Sequence, residues 1–285
     1  MNARRFDDLI QRWRSVLSDL PDPRTGQNLQ FEMADIGLSA FAVFFTQCPS
    51  FLSFAQNMEM AQGRNNARSL FQVKNIPCDN HIRQTLDPVE PGRIFSLFDD
   101  LHQAFDQAGL LEAMRSVNHT RLIALDATWY FSSQSKNVCC PNCSSVQQGD
   151  GNLTHFHSAI ITDWKISADN AAGLVAAGRA RWKIENENNN VLKTKGYHLE
   201  HNFGHGKQHL CSLLATMNLL AFGLHTLLEL TDESYRLIRS AVGARRKFFH
   251  HLEALTTYLY FQTWERLMDF MMRGLEIGPY AVPKS

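Results

Sequence analysis

The sequence predicts an α+β or α/β chain in which a short strand-bearing segment is flanked by helical N- and C-terminal regions. Three observations point to it. Apolar residues recur at helical spacing through the first 115 positions. At Arg121 the texture changes to a β-rich apolar run. From Leu210 onward the helical period returns and holds to the C-terminal region. The resulting division is a helical region over 1–115, a core over 116–200 and a second helical region over 201–285. At 285 residues the chain is long enough for two or three packed units.

Each element has its own signal. Phe6, Leu9, Ile10, Trp13, Val16, Leu17 and Leu20 follow the helical period and stop at Pro21. Phe31 to Met60 reads as a long apolar helical region whose second half begins at Pro49, and Asn65 to Leu70 as a further helix. Asp79 is a good N-cap for a short helix ending near Leu86, before Pro88 and Pro91. A short capped helix exposing His81 and Arg83 after a tight turn has the form of a helix-turn-helix recognition element, and equally of an ordinary packing helix. Phe95 to Arg115 gives one more helix. RLIALDATWYF (121–131) and LTHFHSAIIT (153–162) read as strands. Ser167 then caps a helix that runs through ISADNAAGLVAAGRARWKIE.

Composition bounds the function. Charges balance, with 28 basic and 28 acidic residues, so no global field announces a polyanionic partner. The distribution is uneven: between Val175 and His250 stand eleven Lys and Arg against six acids, with six histidines, and this allows a local basic surface. Asp7 and Asp8 fall where a signal peptide needs an apolar run. Leu210 to Leu228 is nearly long enough to span a bilayer, but its leucines keep helical spacing and Ser212, Thr216, Asn218 and His225 interrupt it. The reading is a buried helix and no membrane. Six cysteines, three of them at Cys139, Cys140 and Cys143, suit a reducing compartment, so the expected location is the cytoplasm, in association with the nucleoid.

Several residues carry candidate chemistry. Asp126 breaks an apolar strand at its centre; a carboxylate buried there unpaired costs several kcal/mol, so it belongs at a strand end in a cleft or on a metal. The plain alternative is a strand-to-loop cap. Cys140-x2-Cys143 has half the spacing of a zinc site, which His155 and His157 on one face of a strand could complete; a free-thiol turn explains the same residues. In RARWKIENENNNVLK, Arg181 and Glu185 stand four apart on one helical face. The asparagines Asn188 to Asn190 are poor helix-interior residues because their amides compete for backbone hydrogen bonds. Such local inconsistency often marks function. GYHLEHNFGHGKQHL offers glycines, Lys207 and histidines suited to phosphate contacts, or a structural turn. Arg245, Arg246 and Lys247 form a basic knot.

LIALDATWYFSS, the CPNC loop, THFHSAI and RARWKIENENNNVLK together resemble DDE transposases of bacterial insertion sequences, in the subgroup marked by Tyr-x2-Arg-x3-Glu-x6-Lys. The resemblance extends over essentially the whole chain. It implies an RNase H-like catalytic core, here truncated, two magnesium (or manganese) ions, and cleavage and strand transfer at transposon ends. It implies as partners the terminal inverted repeats, target DNA and a second copy in a homodimer. Asp126 matches the first acid and Glu185 the last, both as metal ligands. Arg181 and Lys193 match the DNA-contacting arginine and lysine. His81, Arg83 and Lys207 lie in segments that the resemblance also covers. Gly178 stands where the family has tyrosine, and Lys193 lies one residue beyond the family's spacing, a turn of about 100° on a helix. No residue matches the middle acid. Only 59 positions (185 minus 126) separate Asp126 from Glu185, and Ile160 runs straight into Ile161 where the family has a long segment. The pattern is that of an internally deleted copy, with Asp163 the only nearby substitute. The alternative is a non-catalytic DNA-binding or dimerising remnant.

Overall fold

A computed structural model describes residues 3–26, 29–59, 65–115, 167–201 and 203–281, and for 3–5, 175 and 178–186 the course of the backbone alone. Helix α1 (Ala3–Ser18) buries Phe6, Leu9, Ile10, Trp13 and Leu17, the stripe its apolar spacing dictates. Helix α2 (Met33–Thr46) is apolar all round, and all fourteen of its residues are buried. A helix with no polar face belongs at the centre of a fold, and α2 is packed against by α1 and by the long helix described below. The apolar region predicted over 31–60 is two helices. Gln47 caps α2 in the left-handed conformation (φ 56°), and α3 (Phe51–Glu59) leaves at 91°.

Helix α4 (Asn66–Phe71) is capped by Asn65, whose side chain accepts from the Arg68 N–H at 3.2 Å. Helix α5 (Asp79–Leu86) starts one residue earlier than the predicted cap implies: Cys78 holds the capping position, and Asp79 pairs with Arg83 at 3.2 Å. A 3-10 turn (Pro91–Ile94), α6 (Ser96–Gln107) and α7 (Leu110–Ala113) complete this half. Helix α8 (Ala168–Lys183) passes into a π-helical segment (Ile184–Asn189) and then α9 (Asn190–Thr194). At its start the Asn170 side chain accepts from the Ser167 N–H at 2.8 Å, the return half of a capping box around the predicted cap.

Helix α10 (Leu210–Thr231) is long and apolar enough by length and composition to cross a membrane. Its Leu210, Leu213, Leu214, Met217, Leu220, Ala221, Leu224, Leu227 and Leu228 are nonetheless all buried inside the fold. Helices α11 (Glu233–Val242), α12 (Arg245–Tyr258) and α13 (Trp264–Gly274), with a 3-10 turn (Gly278–Tyr280), close the structure. One core runs from Phe6 to Met272 and draws on both helical regions. At its centre the rings of Phe6, Phe45 and Trp264 meet at 5.1–5.4 Å.

This architecture corrects the expected fold class. The α+β or α/β reading, with a truncated RNase H-like core, is not seen: no β-strand occurs among the described residues, and the core is helix on helix. The physical reason lies in α2 and α10. Both are apolar enough to be covered on most sides, and they cover each other. The segments read as strands, 121–131 and 153–162, lie outside the described residues.

Candidate functional site

The loop between α9 and α10 is held to the helical body at two points. The first is Asp87, which follows α5. Its carboxylate accepts from the backbone N–H groups of Lys207 (2.9 and 3.0 Å), Gln208 (3.0 Å) and Leu210 (3.2 Å), while its own carbonyl accepts from His209 N–H at 2.9 Å. Of these, the Leu210 N–H is an orphan donor at the start of α10, so a residue 123 positions away supplies part of the cap that His209 does not. Burial pushes the Asp87 carboxyl up, yet the N–H donors outweigh it and hold the group below the usual carboxylate range. Gly206 is required for this approach: it sits at φ +70°, and a Cβ there would run into the Asp87 carboxylate.

The second point is Tyr197, which is 1% exposed. Arg245 Nη1 donates to its hydroxyl at 2.9 Å, and the hydroxyl lies 2.6 Å from His225 Nδ1. A guanidinium only donates, so the Tyr197 oxygen is the acceptor of the first bond, and the hydroxyl and the His225 ring share the second. Asn218 Nδ2 donates to the Tyr197 carbonyl at 2.8 Å. Glu229 offsets part of the charge at this corner, 3.3 Å from Arg245 and 3.7 Å from Arg239. Burial, then the positive charge of Arg245, hold the fully buried His225 well below its ordinary pKa. Burial pushes the Tyr197 and Tyr235 phenols far up, and takes the Cys48 thiol to about 11. All three stay protonated at neutral pH, so none is an activated nucleophile. This network positions a loop.

The approach to that loop is the helix carrying the Arg-x3-Glu sequence. Positions 181 and 185 fall at the end of α8 and the start of the π-helical segment, where the asparagine run breaks the α pattern. Such segments are rare and appear frequently at functional sites. Beyond it, Leu192 is buried with Tyr197 and Leu199, while Lys193 faces outward with Nζ 2.9 Å from Glu200.

The other predicted residues divide into two groups. Asp126, Asp163, Cys140, Cys143, His155 and His157 lie outside the described residues, as do the side chains of Arg181 and Glu185. No group of three or more His, Cys, Asp and Glu able to hold a metal occurs among the described residues. His81 and Arg83, by contrast, are engaged within the fold. Arg24 Nη1 lies 3.1 Å from His81 Nε2, and Phe31 packs on the same ring. Arg83 pairs with Asp79 and sits 5.8 Å above the Phe51 ring. Lys207 is exposed, with its backbone held by Asp87.

Asp87, Tyr197 and His225 went unread as site-forming residues. His225 had a legible signal, a histidine inside an apolar 22-residue helix. Asp87 had none beyond its place before Pro88. No family model, curated protein or solved structure matches this chain.

Proposed function

We propose that the chain is an insertion-sequence transposase by descent that binds the terminal-repeat DNA of its element, with magnesium-dependent cleavage and strand transfer impaired for want of a middle acidic residue. The observation that supports the reading is the π-helical segment Ile184–Asn189. A π turn closes i→i+5 and so holds one residue more than an α turn. The signature as it stands here has one residue too many between Glu185 and its lysine. One π turn absorbs that residue and brings position 193 back into line with position 185, while Leu192, at the family's spacing, is buried. The inserted asparagine and the altered helix thus offset each other. The test is a mobility-shift titration with terminal-repeat and random duplexes, followed by addition of magnesium. The expected result is tighter binding to the terminal repeat and no strand cleavage. Equal affinity for random DNA would overturn the binding half. Cleavage abolished by Asp126→Ala would overturn the impairment and make Asp163 the missing acid.

A non-catalytic remnant that competes with an intact transposase is the second reading. The single helical core built from both ends of the chain favours it, because that core positions the loop and α5 irrespective of catalysis.

A further inference from the structure

We infer that the first two turns of α12 and the loop after α9 form one cationic face that holds the phosphate backbone of duplex DNA without reading its sequence. This rests on the DNA-binding reading above and names the surface that would do it. The two segments lie about 50 positions apart in the chain, and Arg245 joins them. Its side chain turns inward to the Tyr197 hydroxyl at 2.9 Å and the Tyr197 ring at 5.8 Å. With Arg245 spent on that contact, its neighbours Arg246 and Lys247 are left exposed, as is His250 one turn on. Across the junction lie His198 and His201, their rings 6.4 Å apart. The Arg246 charge reaches His198, where burial first, then His201 and Arg246, lower the imidazole pKa, so His198 brings a neutral hydrogen-bonding ring to this face and the charge comes from Arg246, Lys247 and Lys195. Lys195 is exposed beside them.

The nearby acids are already occupied. Glu200 pairs with Lys193 at 2.9 Å, Glu229 lies 3.3 Å from Arg245, and Glu253 accepts from Asn57 at 2.9 Å. The placement of the cations is also unfavourable for the isolated fold. Helix α12 begins at Ala244 with no side-chain cap and no acid in its first turn, and instead carries three cations there. Cations at a helix N-terminus oppose the macrodipole. A phosphate brought to this face meets the uncapped N–H groups, the dipole and the side-chain charges together, and all three attract it.

The experiment is fluorescence anisotropy of a labelled random duplex titrated with the full chain at several salt concentrations. The test variant is R246E/K247E. The control, R93E/R266E, reverses two exposed charges on other elements and changes the net charge equally. The expected result is at least about a tenfold loss of affinity for R246E/K247E, with the salt slope shallower by about 2, and a small change for the control. Thermal melting should show no loss of stability in R246E/K247E, because acids suit a helix N-terminus. Should that variant melt early, R246Q/K247Q replaces it and must show the same shallower slope. Unchanged affinity and slope, or an equal loss in the control, would overturn the inference. If the wild type binds random DNA as tightly as the terminal repeat while R246E/K247E loses both, the terminal-repeat reading fails and this inference stands. If terminal-repeat preference holds while R246E/K247E binds normally, the reverse follows.

Discussion

His225 shows how much a single buried residue decides. Its ring sits among Phe45 (4.4 Å), Phe249 (4.8 Å) and Tyr197 (5.5 Å), with Arg245 near enough to oppose any positive charge. Protonating the ring would add a buried charge beside Arg245. The sign follows. The folded pKa lies well below the ordinary 6.5, so below pH 6.5 the unfolded chain binds the proton and the folded one does not. Stability from this group is complete above that pH and declines as pH falls, by up to about 1.4 kcal/mol per pH unit. Thermal melting between pH 7.5 and 5 should show a steeper fall for the wild type than for His225→Gln. Equal slopes would mean that His225 does not titrate on unfolding. The sequence displayed this histidine as an interruption in an apolar helix. Whether it faced solvent or the core was not readable, because this helix is apolar on most sides and its period does not assign a polar position to one face.

Elements were more legible than residues. The apolar stripes of α1 and α10 fell where their spacing placed them, because a 3.6-residue period is local and each helix carries its own record. The break in the long apolar region over 31–60 was legible at Pro49, but its 91° angle was not, since the turn rests on a left-handed Gln47 that no composition rule favours. The asparagine run was legible as an anomaly, and the anomaly takes the form of a π-helical segment. Asn188 is exposed there and Asn190 is exposed at the start of α9, so replacing both with alanine should stabilise the chain by about 0.5 kcal/mol each through helix propensity alone, read by chemical denaturation. A larger loss instead would show that the asparagine amides hold the π turn. Helix α5 was legible as a short helix, but its His81 and Arg83 contacts were not, since Arg24 and Phe51 come from distant parts of the chain.

For the molecule as a whole, a few buried polar side chains fasten helices that apolar packing alone would leave free to slide. Asn66, fully buried, donates to the carbonyls of Thr256 and Leu259 at 2.8 Å and accepts from Phe261 N–H at 3.0 Å, tying α4 to the turn between α12 and α13. Arg14 joins α1 to α2 and to the strand-less connection after α4, through Asp35 and the Gln72 carbonyl, each at 2.7 Å. Asn66→Ala leaves two buried backbone groups and a part-buried one without this partner, and should cost on the order of 3 kcal/mol and lower the melting temperature by several degrees. A change under about 1 kcal/mol would mean that water takes over those contacts. The sequence by itself determined that the described N- and C-terminal regions are helical and which residues of α1 and α10 are buried, because both are written in a repeat a few residues long. It did not determine the all-helical core, the clamp of Asp87 on Lys207, or the inward turn of Arg245 that leaves Arg246 and Lys247 outside. Those depend on which elements meet across 50 to 200 positions of chain, where burial and polar pairing, rather than local spacing, select the partner.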